Sequence, residues 1–314
     1  MRIGIVVDST CDLPRPFIDE HRITLLPITV HLDDEDFVDV RDPDATAAYY
    51  RGSAGQRGHA AETEPLSVAA IKALFLDRLV LDYDCVFCLT VSASRSPVHE
   101  RASQASFAIL KDYRAIRQQS GNNAPFLLRV IDTRNLFAGQ GVSAVEAIKL
   151  IAAESSPGRI RERLEVLTNH TYAYAMPRDL NYIRARTRKR GDRSVSLFSA
   201  ALGTALDIKP ILQCFRGETR PVGKVRGFEH GAQTLLLHVA ERVKLGLLTR
   251  AVCVSYGGDL GELEALPGYH ELAATCAEHR TQLLASVMSI TGMVNMGTGA
   301  LTIGFASEEY TPSF

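Results

Sequence analysis

Leu89-Thr90-Val91-Ser92-Ala93-Ser94-Arg95-Ser96-Pro97-Val98-His99 is the stretch on which the fold reading turns. The apolar run from Asp84 to Val91 predicts a buried strand of a parallel sheet, whose two faces are both covered. It breaks into a loop with three serines. A helical pattern then begins near Pro97 and runs through Ala102, Ala105, Phe107 and Leu110. Proline suits the first helical position, and Ser96 before it suits an N-cap. Strand, polar loop and helix N-terminus place hydroxyls at the carboxyl end of a sheet strand, where open α/β sheets bind ligands.

The same pattern recurs on both sides of this stretch. Ile3 to Val7 is a short apolar strand ending in Asp8-Ser9-Thr10, and Leu25-Leu26-Pro27-Ile28-Thr29-Val30 reads as a second strand. Phe126 to Ile131 is another, ending in Asp132-Thr133-Arg134, before a helix with Val142, Val145 and Ile148 on one face. Strands alternating with helices predict a parallel sheet with its polar strand ends on one edge. Between them, the acidic segment Asp33 to Asp44 has no fixed ligand spacing and reads as a solvated loop, with no metal expected. Residues 51–61 read as a flexible loop, and Ser67 to Leu79 as a helix.

Ser155-Ser156-Pro157-Gly158 punctuates the chain and divides it into domains 1–156 and 157–314. Beyond it, Thr171 to Met176 and Ala251 to Tyr256 read as strands. Phe228 to Lys244 and Glu271 to Leu284 read as helices, and Arg216-Gly217-Glu218-Thr219 as a hairpin turn. Leu180 to Arg193 carries a run of basic residues that reads as a solvated helix and loop. Gly297-x-Gly299 lacks the strand-before, helix-after setting of a dinucleotide fingerprint.

Composition fits a globular protein: 46% hydrophobic, 23% charged, net charge −1 over 314 residues. That balance does not point to nucleic acid as the partner. No apolar run has the length to span a bilayer, so no stable membrane insertion is expected, and the absence of a leader pattern points to the cytoplasm. Cys85-x-x-Cys88 lies within a strand, where residues three apart face opposite ways. The six cysteines therefore read as buried free thiols.

Taken together these segments resemble the DegV family along nearly the whole chain. The resemblance rests on Ile5-Val6-Val7-Asp8-Ser9-Thr10-Cys11-Asp12-Leu13-Pro14, Leu26 to Val30, Thr90 to Ala102 and Val130 to Arg134 with Gly139-Gln140-Gly141. Leu206 to Leu212, Lys224-Val225-Arg226 and Gly297 to Leu301 complete it. It implies two α/β domains with a long-chain fatty acid enclosed between them, no cofactor, and in some members presentation of the acid to a kinase subunit that phosphorylates it. It also implies that Thr63, Ser92, Ser96 and Asn295 meet the headgroup and that Arg226 faces the partner.

Four positions depart from the family pattern, one of them Phe228, which replaces a second arginine of the kinase-facing segment that keeps Arg226. Pro97 stands where a glycine is usual, Asn295 replaces a histidine, and Glu62 puts a carboxylate where a threonine hydroxyl would be. A carboxylate beside a fatty acid repels it unless one of the two is protonated. The leading reading is a non-catalytic fatty-acid-binding protein with Glu62, Thr63, Ser92, Ser96 and Asn295 at the ligand. A binder of a neutral-headgroup lipid stands beside it, since Glu62 would accept and Asn295 would both donate and accept. A third reading, a serine hydrolase, requires His99 as base near Ser92 or Ser96, without a Gly-x-Ser-x-Gly elbow.

Overall fold

The computed structural model describes residues 1–190 and 207–314; Arg193 of the basic run and Leu206 of the Leu206–Leu212 motif lie outside the described residues. The first half contributes seven strands: β1 (Ile3–Asp8), β2 (Thr24–Leu26), β3 (Ile28–Leu32), β4 (Glu35–Asp39), β5 (Glu62–Pro65), β6 (Cys85–Thr90) and β7 (Leu127–Asp132). Four of them form a parallel sheet in the order β2-β1-β6-β7. Strand β6 is buried throughout because both faces are covered. Cys85, Phe87 and Leu89 pack into one core with Val142 and Val145, whereas Val86 and Cys88 pack into another with Ile71, Ala102 and Ala105. Cys85 and Cys88 thus lie on opposite sides of the sheet, and all six cysteines are buried and free.

Proline decides the next step. Pro27 has no N–H to give a ladder, and the chain leaves the parallel sheet there. The expected single strand is split: β2 ends at Leu26, and β3 joins a separate antiparallel sheet in the order β4-β3-β5. The acidic segment, expected as loop, supplies β4 and the N-cap of the helix Pro43–Arg51, where Asp42 accepts from Ala45 N at 2.8 Å. Residues 53–60, also expected as loop, form two short helices. Ala54 and Ala61 are drawn into a buried cluster with Tyr49, Tyr182 and Met293, which pins the segment.

The second half builds a six-stranded mixed sheet from β8 (Thr171–Met176), β9 (Ile208–Phe215), β10 (Glu218–Arg226), β11 (Ala251–Tyr256), β12 (Gln282–Val287) and β13 (Leu301–Ala306). Its order is β10-β9-β8-β13-β11-β12. The helix expected from Glu271 to Leu284 is instead Tyr269–Glu278. The chain turns at His279 and at Arg280, whose φ is +51°, and residues from Gln282 onward pair with β11. Arg216 and Gly217, with φ of +53° and +83°, make the two-residue hairpin turn between β9 and β10.

Strands before residue 133 and after residue 170 therefore occupy different sheets. The helix Ala138–Ala152 is buried on nearly all sides because it lies between them. Its core joins Val7 and Leu89 of the parallel sheet to Cys253 and Ala306 of the mixed one. Close approach here depends on Gly304, where a β-carbon would come within 2.5 Å of Gly139 N. Among the described residues no helix is long and apolar enough to cross a membrane.

Candidate functional site

The carboxyl ends of β1, β6 and β7 gather on one edge, and their polar residues are wired together there. Asp8 accepts from Val91 N at 2.7 Å, from Gln140 Nε2 at 3.0 Å, and from Thr10 through both N and Oγ1. Burial raises the Asp8 pKa, and the hydrogen bonds from Thr10, Val91 and Gln140 pull against that rise. Asp132 accepts from Ala93 N and Arg134 N, which shapes the serine loop against its neighbour.

The second domain closes over this edge. The tip of the β9–β10 hairpin reaches it: Gly217 N donates to Arg134 O at 2.8 Å, and Ser94 Oγ donates to Gly217 O at 2.7 Å. Two buried carboxylates bind the other side. Asp12 accepts from Ser255 Oγ, Ser289 N and Arg41 Nη1, and Asp39 Oδ2 accepts from both N and Oγ1 of Thr291 at 2.8 Å. Burial raises the pKa of both carboxyls, against the pull of the nearby Arg41 guanidinium.

Between these contacts lies a cavity of about 220 Å³ that both domains line. Its apolar wall is made by Ile28, Val91, Leu136, Phe137, Leu212 and Met296. Its polar wall includes Thr10, Thr63, Ser96, Thr291, Asn295 and Arg186. Arg186 is 4% exposed, on the helix Leu180–Arg190. Its Nε and Nη2 each stand 3.3 Å from Asn295 Oδ1, and Nη1 donates to Ala61 O. Asn295 is itself anchored, since its Nδ2 donates to Thr291 O at 2.8 Å.

The hydroxyls differ in what they offer. Thr10 and Thr291 commit their protons to Asp8 and Asp39, so toward a ligand they have only lone pairs. Ser96 Oγ accepts from Val98 N at 3.4 Å, so its proton remains to be donated. The helix starts one residue later than expected, at Val98, with Pro97 just before it.

Of the residues read from sequence, Thr63, Ser96 and Asn295 converge on the cavity. Ser92 is buried beside it rather than in its lining: its N donates to Asn135 O and its Oγ meets Ser94 Oγ at 3.0 Å. Glu62 does not line the cavity, which corrects the expected headgroup clash. Strand alternation places Thr63 and Pro65 on the inner face of β5, opposite Val30 and Ile28, and turns Glu62 and Glu64 outward. The Glu62 side chain is 76% exposed and pairs with Lys189 at 3.5 Å. Arg226 is exposed at the end of β10, away from the cavity lining. His99 Nδ1 stands 3.1 Å from Thr90 Oγ1, a contact that gives the hydrolase reading no support. Among the described residues no group of His, Cys, Asp or Glu could hold a metal ion.

A model of the DegV family, described as "Uncharacterised protein, DegV family", matches residues 2–308. The chain belongs to the DegV family. A DegV domain-containing protein of Xanthomonas axonopodis pv. citri is 56% identical over 310 residues, covering 99% of each chain. The fold of this DegV chain is that of the solved structure of DegV, a fatty acid binding protein from Bacillus subtilis. The TM-score is 0.75 at 20% identity, over 98% of this chain and 100% of the other. A stearic acid-binding protein from Eubacterium ventriosum gives a TM-score of 0.73, also at 20% identity, over 98% of both chains.

Sequence reasoning missed Arg186, Thr10 and Thr291. For Arg186 a signal existed. Tyr182 and Ile183 stand four and three residues before it, on the same helical face, and both are buried. The density of charge around it concealed that phase.

Proposed function

We propose that this DegV chain binds a free fatty acid in the interdomain cavity without chemically altering it, the carboxylate meeting Arg186. The observation that carries this is a buried guanidinium on the wall of a cavity whose remaining lining is largely apolar. An acyl chain needs apolar surface, and its carboxylate needs charged and neutral donors to offset desolvation. Arg186, Ser96 and Thr63 supply those donors, and Asn295 Oδ1 holds the guanidinium in place. Ligands named for relatives, such as the stearic acid of the Eubacterium ventriosum protein, agree with this reading. So does the outward turn of Glu62, which removes the reason for preferring a neutral headgroup.

We extend the proposal to presentation of the acid to a kinase partner in the cytoplasm, with Arg226 on the docking face, as the family resemblance implies. Native mass spectrometry of the purified protein, followed by organic extraction, tests the ligand. A free fatty acid is the expected species, and Arg186→Met should carry less of it by a factor of ten or more. Recovery of a neutral lipid at full stoichiometry in both proteins would overturn the assignment. Retention of an ATP-dependent kinase subunit, abolished by Arg226→Glu, tests the presentation.

A further inference from the structure

Three buried hydroxyls, those of Tyr49, Ser143 and Thr219, have no hydrogen-bond partner among the described residues, and of the three only Thr219 lines the cavity. Strand alternation aims it there. Thr219 lies opposite Cys214 in the β9–β10 ladder, on the same face as Leu212, another lining residue. Arg220 and Gln213 take the other face, where Arg220 Nε donates to Gln213 Oε1 at 3.2 Å. Cys214 is the polar neighbour of the hydroxyl, and it is a poor partner. Its Sγ is turned to Arg134 O at 3.9 Å, and burial pushes its thiol up to about 11, so it stays a neutral, weak acceptor. A buried donor left unpaired costs stability, and a ligand acceptor placed against it removes that cost.

The surroundings of the hydroxyl say which acceptor. The hairpin that carries Thr219 is seated on the serine loop, with Ser94 Oγ donating to Gly217 O at 2.7 Å. Arg95 and Ser96, the next two residues of that loop, line the cavity together with Thr219. The Arg95 guanidinium stands near enough to Cys214 to oppose part of the rise that burial imposes on its thiol. Thr219 therefore belongs to the wall where Ser96 offers its proton. A saturated fatty acid has acceptor atoms at its carboxylate alone. We propose that Thr219 is a further carboxylate-binding residue, its Oγ1 donating from the β9–β10 hairpin as Ser96 Oγ does from the serine loop. This rests on the fatty-acid reading above and deepens it.

Thr219→Val keeps the shape and removes the hydroxyl, whereas Thr219→Ser keeps the donor. Thermal melts and calorimetric titration of the purified, delipidated proteins with palmitic and stearic acids, below their micellar concentrations, test the proposal. Thr219→Val should bind both acids less tightly by about tenfold or more, the effect of one hydrogen bond to a charged group. Thr219→Ser should retain most of the wild-type affinity. The delipidated Val variant should melt no lower than the wild type, because the hydroxyl it lacks had no partner to lose. A purely structural hydroxyl would move the readouts the other way, with lower melting and unchanged affinity. A folded Thr219→Val protein with wild-type affinity overturns the proposal, and it leaves the fatty-acid reading intact where Arg186→Met still weakens binding. A delipidated Val variant that melts well below the wild type, or fails to fold, overturns it as well. Failure of the wild type to bind either acid overturns both.

Discussion

Arg41 and Asp12 form an ion pair of 3.2 Å sealed between the two domains, with 6% and 0% of their side chains exposed. Arg41 also donates to Leu13 O and to Val287 O at 2.9 Å, so one guanidinium touches both halves of the chain. Removing the cation would leave Asp12 buried without its charge partner and draw Asp39 into the same loss. Arg41→Met is expected to cost on the order of 3–5 kcal/mol, the range for breaking a buried pair from one side. Arg41→Met combined with Asp12→Asn should recover part of that cost, because no unpaired charge remains. Urea denaturation of the three proteins checks this. A loss below about 1 kcal/mol would mean that water reaches the junction.

The buried carboxyls also set a pH dependence. Burial raises the Asp8, Asp12 and Asp39 pKa values above the usual carboxylate range, so the folded state holds protons that the unfolded chain has released. Stability from these groups is therefore present at low pH and is lost as pH rises through the folded pKa values. Asp39→Asn keeps an acceptor for Thr291 N and removes one such charge. Asp84, whose pKa is lowered by its hydrogen bond from Arg2 N, and Asp259, whose pKa is lowered by hydrogen bonds from Tyr50 and Arg51, give the opposite slope and are common to both proteins. The melting-temperature difference between Asp39→Asn and wild type should accordingly grow in favour of the variant as pH rises. A constant difference would show that Asp39 ionises as it does in the unfolded chain.

Much of the fold was legible because its periods are clean. The apolar run at β6, the polar ends at Asp8, Ser92 and Asp132, and the strands at Thr171 and Ala251 follow from local pattern alone. What was misread depended on contacts distant in sequence. Arg280 in the left-handed region cuts a helical pattern that would otherwise reach Leu284, and β11 then recruits β12. Residues 53–60 are polar and glycine-rich, and only packing beneath Tyr182 and Met293 makes them helical. At the cavity, Thr63 and Ser96 could be named from sequence, but their company could not. Arg186 reaches Asn295 across 109 residues of chain, and a strand's alternation decides that Thr63 rather than Glu62 faces inward.

That alternation leads to a direct test. Glu62→Thr should change fatty-acid affinity less than about twofold and stability by no more than about 1 kcal/mol, because an exposed pair such as Glu62–Lys189 is worth little. Calorimetric titration and a denaturation curve suffice. A tenfold gain in affinity would bring Glu62 back to the headgroup and require β5 to shift its register by one residue.

The pair Arg186–Asn295 makes the last prediction, since it stands where the family resemblance puts a histidine. Arginine does not titrate in any accessible range and asparagine not at all. Binding of an ionised fatty acid through this pair should therefore stay nearly flat between about pH 6 and pH 8. Asn295→His would place an imidazole within reach of the guanidinium, with an unperturbed pKa of about 6.5. Charge repulsion from Arg186 should hold the imidazole neutral until lower pH; a bound carboxylate should pull the other way and favour the imidazolium. Affinity of the variant should then rise as pH falls toward about 6, while the wild type changes little. Proton uptake on binding, measured in two buffers of different ionisation enthalpy, separates this from a general pH effect. Uptake should be absent in the wild type and present in Asn295→His. Equal uptake by both proteins would mean that another titrating group receives the carboxylate, and Arg186 would lose its assigned role.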